Sequence, residues 1–235
     1  MSDTSPRVLL LVGALSMLCP SVGRGQPAAM VQRPPIEDRG NGRYRIGGVK
    51  LDQKRQRFAV RGVILRDEPP LEFLAVTADG FKAYESLLKV RANAHEFNLA
   101  CILIGLDPEQ GKPSRRHFDP EPAGGDPVDL RVTWRTRDGA RTDAWTTIDA
   151  ADLVRSGEGT LSRGEWVYTG SRVLPDGRFL AAVDSTLIGF VHDPASIIEH
   201  RTGLLGQFAS VTVNRRVAPA VGTPVTVHVA RPGSR

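Results

Sequence analysis

Between residues 128 and 135 apolar and polar side chains alternate strictly: Val128, Leu130, Val132 and Trp134 interleave with Asp129, Arg131, Thr133 and Arg135. Successive side chains of an extended chain point to opposite faces, so this stretch predicts a strand with one face in a core and one in solvent. Asp138-Gly139 predicts a tight turn and a hairpin partner over 140–147. The same logic assigns a strand to 58–65, paired through 52–55 with 49–51, and another to 71–77. Ala78-Asp79-Gly80 predicts a turn into a further strand over 81–88, which makes this segment a meander. A second hairpin is expected from 165–173 and 178–184 across Pro175-Asp176-Gly177. Strands at 187–191 and 223–229 bring the total to about nine to eleven.

Residues 92–106 break this period. Ala94, Phe97, Cys101 and Ile104 recur at helical spacing, and Leu99, Ile102 and Leu106 fill most of the remaining circumference, which predicts a buried core helix. Its polar residues His95, Glu96 and Asn98 gather in the first turn, and Cys101 reads as a buried, inert thiol. Asp149 predicts a cap for a single helical turn at 149–155. Residues 107–127 hold five prolines and three glycines, a long loop that is a surface excursion or a lid near a site. The expected class is therefore mainly β (α+β), with antiparallel sheets from hairpins and meanders packed around one core helix at about 92–106. Turns instead of helical crossovers join the strands, which excludes the parallel α/β folds that bind nucleotides.

The first 25 residues have a different character. A short polar start ending at Arg7, an apolar or small run over 8–18 and a small, breaker-rich stretch over 20–25 predict a secretory signal peptide. At ~1.5 Å per residue the apolar run reaches roughly 16 Å, about half of a hydrocarbon core, so it does not predict a permanent span. Leu18 precedes Cys19 where a lipidated cysteine expects a small residue, so a lipid anchor there is disfavoured. Residues 26–43 read as a Pro/Gly-rich linker and 44–231 as a single domain, periplasmic or extracellular, with no integral span in the mature chain.

Composition narrows the function classes. The formal charge is +5 and the pI about 9.6. Of the 31 basic residues 26 are Arg, and they stand singly among Asp and Glu with no aromatic-interleaved basic stripe, so they read as a solvated surface and imply no nucleic-acid partner. Two cysteines, Cys19 and Cys101, cannot make a disulfide framework, a four-thiolate zinc site or an iron–sulfur cluster. The short signatures of phosphoryl transfer, serine hydrolysis, zinc proteolysis and dithiol chemistry are missing from the sequence, and no catalytic, metal-ligating or cofactor-binding residue is assigned.

Three polar groupings remain. Tyr84-Glu85-Ser86 with His95-Glu96 would bring a carboxylate and an imidazole to a helix start, where they could bind a cation or share a proton, or simply cap the helix. Trp166, Tyr168, Asp184 and Ser185 would face one another if 165–184 forms the expected hairpin. His192-Asp193, Ser196 and Glu199-His200 read as a turn entering a short helix capped by Asp193. His117 and His228 stand alone.

The order of Phe81-Lys82-Ala83-Tyr84-Glu85-Ser86-Leu87, the helix ending Leu103-Ile104-Gly105-Leu106, the 128–134 strand, Trp166-Val167-Tyr168-Thr169-Gly170-Ser171 and the Gly222-Thr223-Pro224-Val225 strand resembles the YdjY-domain family over roughly 44–231. That resemblance implies an exported bacterial protein. The family usually carries His-Glu-Ser where this chain has Tyr84-Glu85-Ser86, a departure that argues against an obligatory metal ligand there. The expected function is a non-enzymatic module of the cell envelope that binds a small ligand or a partner protein, through Tyr84, Glu85, Ser86, His95, Trp166 and Asp184. The alternatives are a divalent-cation-dependent hydrolase using Glu85, His95 and Asp184, and a structural cell-surface protein.

Overall fold

A computed structural model describes residues 34–138, 141–156, 161–204 and 211–234. The expected signal peptide and the first part of the expected linker lie outside them. The protein is mainly β, and its strands in chain order are β1 (Ile36–Asp38), β2 (Arg43–Ile46), β3 (Val49–Asp52), β4 (Arg57–Ile64), β5 (Phe73–Thr77), β6 (Ser86–Val90), β7 (Asp126–Asp138), β8 (Arg141–Asp149), β9 (Val154–Ser156), β10 (Trp166–Tyr168), β11 (Thr186–Gly189), β12 (Ile198–His200), β13 (Val211–Val213) and β14 (Pro224–Ala230). Two helices, α1 (Ala94–Leu103) and α2 (Leu180–Asp184), accompany them.

Eight strands close a barrel in the order β4–β14–β7–β10–β12–β11–β5–β6, with β6 returning to β4. The expected alternation builds its longest wall. Phe58, Val60 and Ile64 of β4, Val225, Val227 and Val229 of β14, and Val128, Leu130, Val132 and Trp134 of β7 all point inward and are buried. The closing pair is short: Gly62, Val63 and Ile64 face Val90, Lys89 and Leu88. Glycine is required at Gly62 because a Cβ there would lie 2.5 Å from the Lys89 carbonyl oxygen.

Single edges of β4 and β7 each serve two partners. On the side away from β14, the first half of β4 pairs with β3 and its end pairs with β6. Likewise β7 pairs first with β10 and then with β8. The hairpins β1–β2–β3 and β7–β8 therefore extend the sheet beyond the barrel on opposite flanks of β4–β14–β7. Helix α1 begins at an Asn93 capping box, with Glu96 reaching back to the Asn93 N–H and also accepting from the Gly48 N–H at 3.2 Å. A methyl at Gly48 would overlap the Arg91 carbonyl oxygen, so the β2–β3 turn meets the helix entry at backbone contact. Phe97 carries the helix into the core, edge-on to Phe58 at 5.2 Å.

Four expectations are corrected. Residues 36–38 of the expected linker form β1, paired with β2. The meander fails after β5, because Phe81–Glu85 is a 3-10 turn and Ser86–Val90 runs parallel to β5; β11 and β12 are also parallel, so the sheet is mixed. The turn chemistry of Ala78-Asp79-Gly80 was real, but the segment after it crosses the barrel end instead of folding back. The 165–184 hairpin is reduced to its tip, where the Leu174 N–H donates to the Arg178 carbonyl across Pro175-Asp176-Gly177 at 2.8 Å. Left-handed Gly170 (φ 76) and Ser171 (φ 59) end β10 after Tyr168, only Val173 bridges Phe179, and 180–184 is α2. Glu199 and His200 lie in β12, not in a helix entered from Asp193.

Gly62→Ala is expected to lower stability by about 1–3 kcal/mol, since the extra methyl must displace backbone at the barrel closure. Urea unfolding checks this through the transition midpoint; an unchanged midpoint would show that closure at β4–β6 tolerates the side chain.

Candidate functional site

The parallel run of β5 and β6 sets Phe73 opposite Ser86, so Glu72 and Glu85, which precede them, come to the same barrel end. The end of β11 reaches the same place, where the Phe190 N–H donates to the Glu72 carbonyl at 2.9 Å, and Asp193 follows. His117, from the Pro-rich loop, sits between two of these acids. Its Nε2 is 3.1 Å from Glu72 Oε2 and its Nδ1 is 2.9 Å from Asp193 Oδ2. Those hydrogen bonds, to Asp193 first and Glu72 second, raise its pKa to about 9, so the ring is an imidazolium at neutral pH. Lys82 lies 3.2 Å from Asp193 Oδ2, 3.6 Å from Asp184 Oδ2 and 4.8 Å from the centre of the Phe73 ring. Burial opposes its charge, but Asp193 and then Asp184 outweigh that and hold it protonated. Burial, then Glu72, pushes the Glu85 carboxyl above the usual range.

Nearby, the buried Glu199 carboxylate accepts from Ser114 Oγ at 2.9 Å and from the Asp193 N–H, and burial raises its pKa. His192 is fixed between the Asp119 carbonyl at 2.6 Å and the His200 carbonyl at 3.0 Å. The result is a closed network that fastens the 107–127 loop to the barrel end. Its cations are already engaged by its own carboxylates, and a charged His117 cannot serve as a base.

The structure divides the residues expected to form the site. Glu85, Ser86 and Asp184 join this network, Ser86 through a 2.7 Å hydrogen bond from its hydroxyl to the Lys82 carbonyl, and Tyr84 stands beside it 58% exposed. His95 lies elsewhere, its ring 5.3 Å from that of Phe179. Trp166 is an interior residue, packed against Phe190 and edge-on to His200. Glu85, His95 and Asp184 therefore share no cluster, and among the described residues no group of three or more His, Cys, Asp or Glu side chains is arranged to hold a metal ion. Lys82, Glu72 and His117 were missed. The parallel β5–β6 pair brings them together, and no local pattern announces it.

A second feature lies on the outer face of the extended sheet. The register stacks outward-facing residues in rows: Arg43, Asp52, Arg57, Ala230 and Asp129 in one, and Arg45, Lys50, Ala59, His228 and Arg131 in the next. Small residues in mid-row leave depth, and the flanking hairpins raise the sides of a trough of about 960 Å³. Six cationic side chains line it against two carboxylates, Asp52 and Asp129. Arg39 is paired with Glu37, whereas Arg43, Arg45, Lys50, Arg57 and Arg131 make no ion pair among the described residues. Burial, then Arg57, lowers the pKa of His228 on the floor. The arginines read as dispersed in the sequence are gathered here by the pleat. The signal was present in the period-two pattern but needed the strand order to become a surface.

The chain is thus a mixed-strand β-barrel with an internally paired charge network at one end and a trough lined mostly by cations on its wall. The YdjY domain model matches residues 49–230, and the chain belongs to that family. No curated protein and no solved structure matches it.

Because its folded pKa is raised, His117 contributes stability that is fully present below about pH 6.5 and is lost as the pH rises through about 9. Wild type should therefore lose stability between pH 7 and 10 relative to His117→Gln, whose two urea midpoints should differ less. Equal losses in both proteins would remove His117 from the account.

Proposed function

We propose that this domain is a non-enzymatic binding module of the cell envelope whose trough captures an anionic ligand. The observation that supports the reading is the set of five cationic side chains on one concave face that make no ion pair among the described residues. Unpaired like charges repel one another and lower stability, and an anion placed among them relieves the repulsion while gaining several Coulomb contacts. A cavity of this volume is in the range of small-ligand sites. Behind the expected export signal, the ligand would be met outside the cytoplasmic membrane.

Tripolyphosphate titrated calorimetrically into the full chain is the first probe. Binding is expected at low salt and should weaken as ionic strength rises, because the contacts are exposed. Lys50→Glu with Arg131→Glu should reduce affinity at least tenfold, each lost contact being worth about 0.5–1 kcal/mol before the repulsion that the new carboxylates add. Arg163→Glu with Arg178→Glu changes the net charge equally outside the trough and should leave binding within twofold. Equal weakening in both double variants would sink the reading.

A further inference from the structure

The trough does not stop at its cationic rows. Along β7 and β8 the paired outward residues run Arg131 with Asp149, Thr133 with Thr147, and Arg135 with Trp145. Thr133 and Thr147 belong to the trough wall, and their hydroxyls are 2.9 Å apart. The next outward pair, about 7 Å further along the strands, presents Trp145 with 64% of its surface exposed and the Arg135 guanidinium 5.3 Å from its ring centre. Trp134 and Trp166 are buried, so this is the exposed indole of the chain. Trp145 stands on the β7–β8 extension with most of its surface in solvent, and the cation–π contact with Arg135 holds its ring.

Building on the trough as an anion site, we infer that its ligand is an extended acidic polysaccharide that crosses the sheet diagonally from Lys50 to Trp145. The path spans four strand spacings from β3 to β8, about 19 Å, and four residues along β7, about 13 Å. That surface is much longer than a single small anion needs. The order of groups along it suits a glycan. Cations at Lys50 and Arg131 meet carboxylate or sulfate groups, the Thr133 and Thr147 hydroxyls exchange hydrogen bonds with sugar hydroxyls, and the flat indole receives the apolar face of a pyranose ring. A single-stranded nucleic acid is the less suited chain, since its binding relies on aromatic platforms for successive bases and this face presents one.

The test compares two-unit with eight-unit oligomers of galacturonate, and likewise of heparin, on the full chain. The eight-unit oligomer of at least one series should bind about tenfold tighter than its two-unit form and protect Trp145 fluorescence from acrylamide quenching. Trp145→Ala should bring the long oligomer down to the affinity of the short one, leave the short one unchanged and leave the unfolding midpoint unchanged. Equal affinities for both lengths in both series, or equal loss on Trp145→Ala, would overturn the inference while the trough reading stands. Undiminished binding by Lys50→Glu with Arg131→Glu would overturn the trough reading itself. Tighter, Trp145-dependent binding of an eight-nucleotide single-stranded DNA would overturn the glycan class.

Discussion

The divided edge of β4 is the constraint on which the rest of the molecule depends. A strand edge offers one row of hydrogen-bonding groups, and β4 gives the first half of that row to β3 and the last three residues to β6. Closure of the barrel therefore forces β3, with β2 and β1 behind it, to leave the barrel wall as a flap. The side-chain-free Gly62 at the point of exchange lets β6 approach at the required distance. On the other flank β7 repeats the solution with β10 and β8. Without these two exchanges the sheet would be a plain cylinder with a convex outer face, and the cations on it would point apart.

The two charged regions of the protein illustrate opposite uses of electrostatics. At the barrel end, Lys82 and His117 sit among buried carboxylates at hydrogen-bond distance, so each charge is compensated within the chain and the gain is mechanical. In the trough five exposed cations make no ion pair among the described residues, so their mutual repulsion is left standing on the surface. Burial of Glu199 is tolerated because Ser114 and the Asp193 N–H donate to it, and this ties residues distant in sequence into one unit.

What could be read from the sequence follows from how local each determinant is. Strands with one solvent face announced themselves, and Val128 to Trp134 is the clearest case; Asp149 and its 3-10 turn were equally local. Helix α1 was legible from its apolar spacing, although Asn93 and the left-handed Gly105 trim it to Ala94–Leu103. The failures have a common cause. Trp166–Tyr168 is buried on both faces and carries no period to extend, and the chain path after Gly80 depends on which strand β5 will meet. Neither the union of His117 with Asp193, 76 residues apart, nor the alignment of Lys50 with Arg131 is encoded in any window of sequence.

The β1–β2 hairpin precedes the residues matched by the family model, yet it contributes Arg39, Arg43 and Arg45 to one side of the trough. It hangs on β3, and the turn between them is tied to the core by one Glu96 carboxylate. The trough thus has a floor on the barrel wall and a jaw hung on the edge of β3, so a substitution in the jaw changes the charge of the trough without touching the barrel closure at the far end of β4.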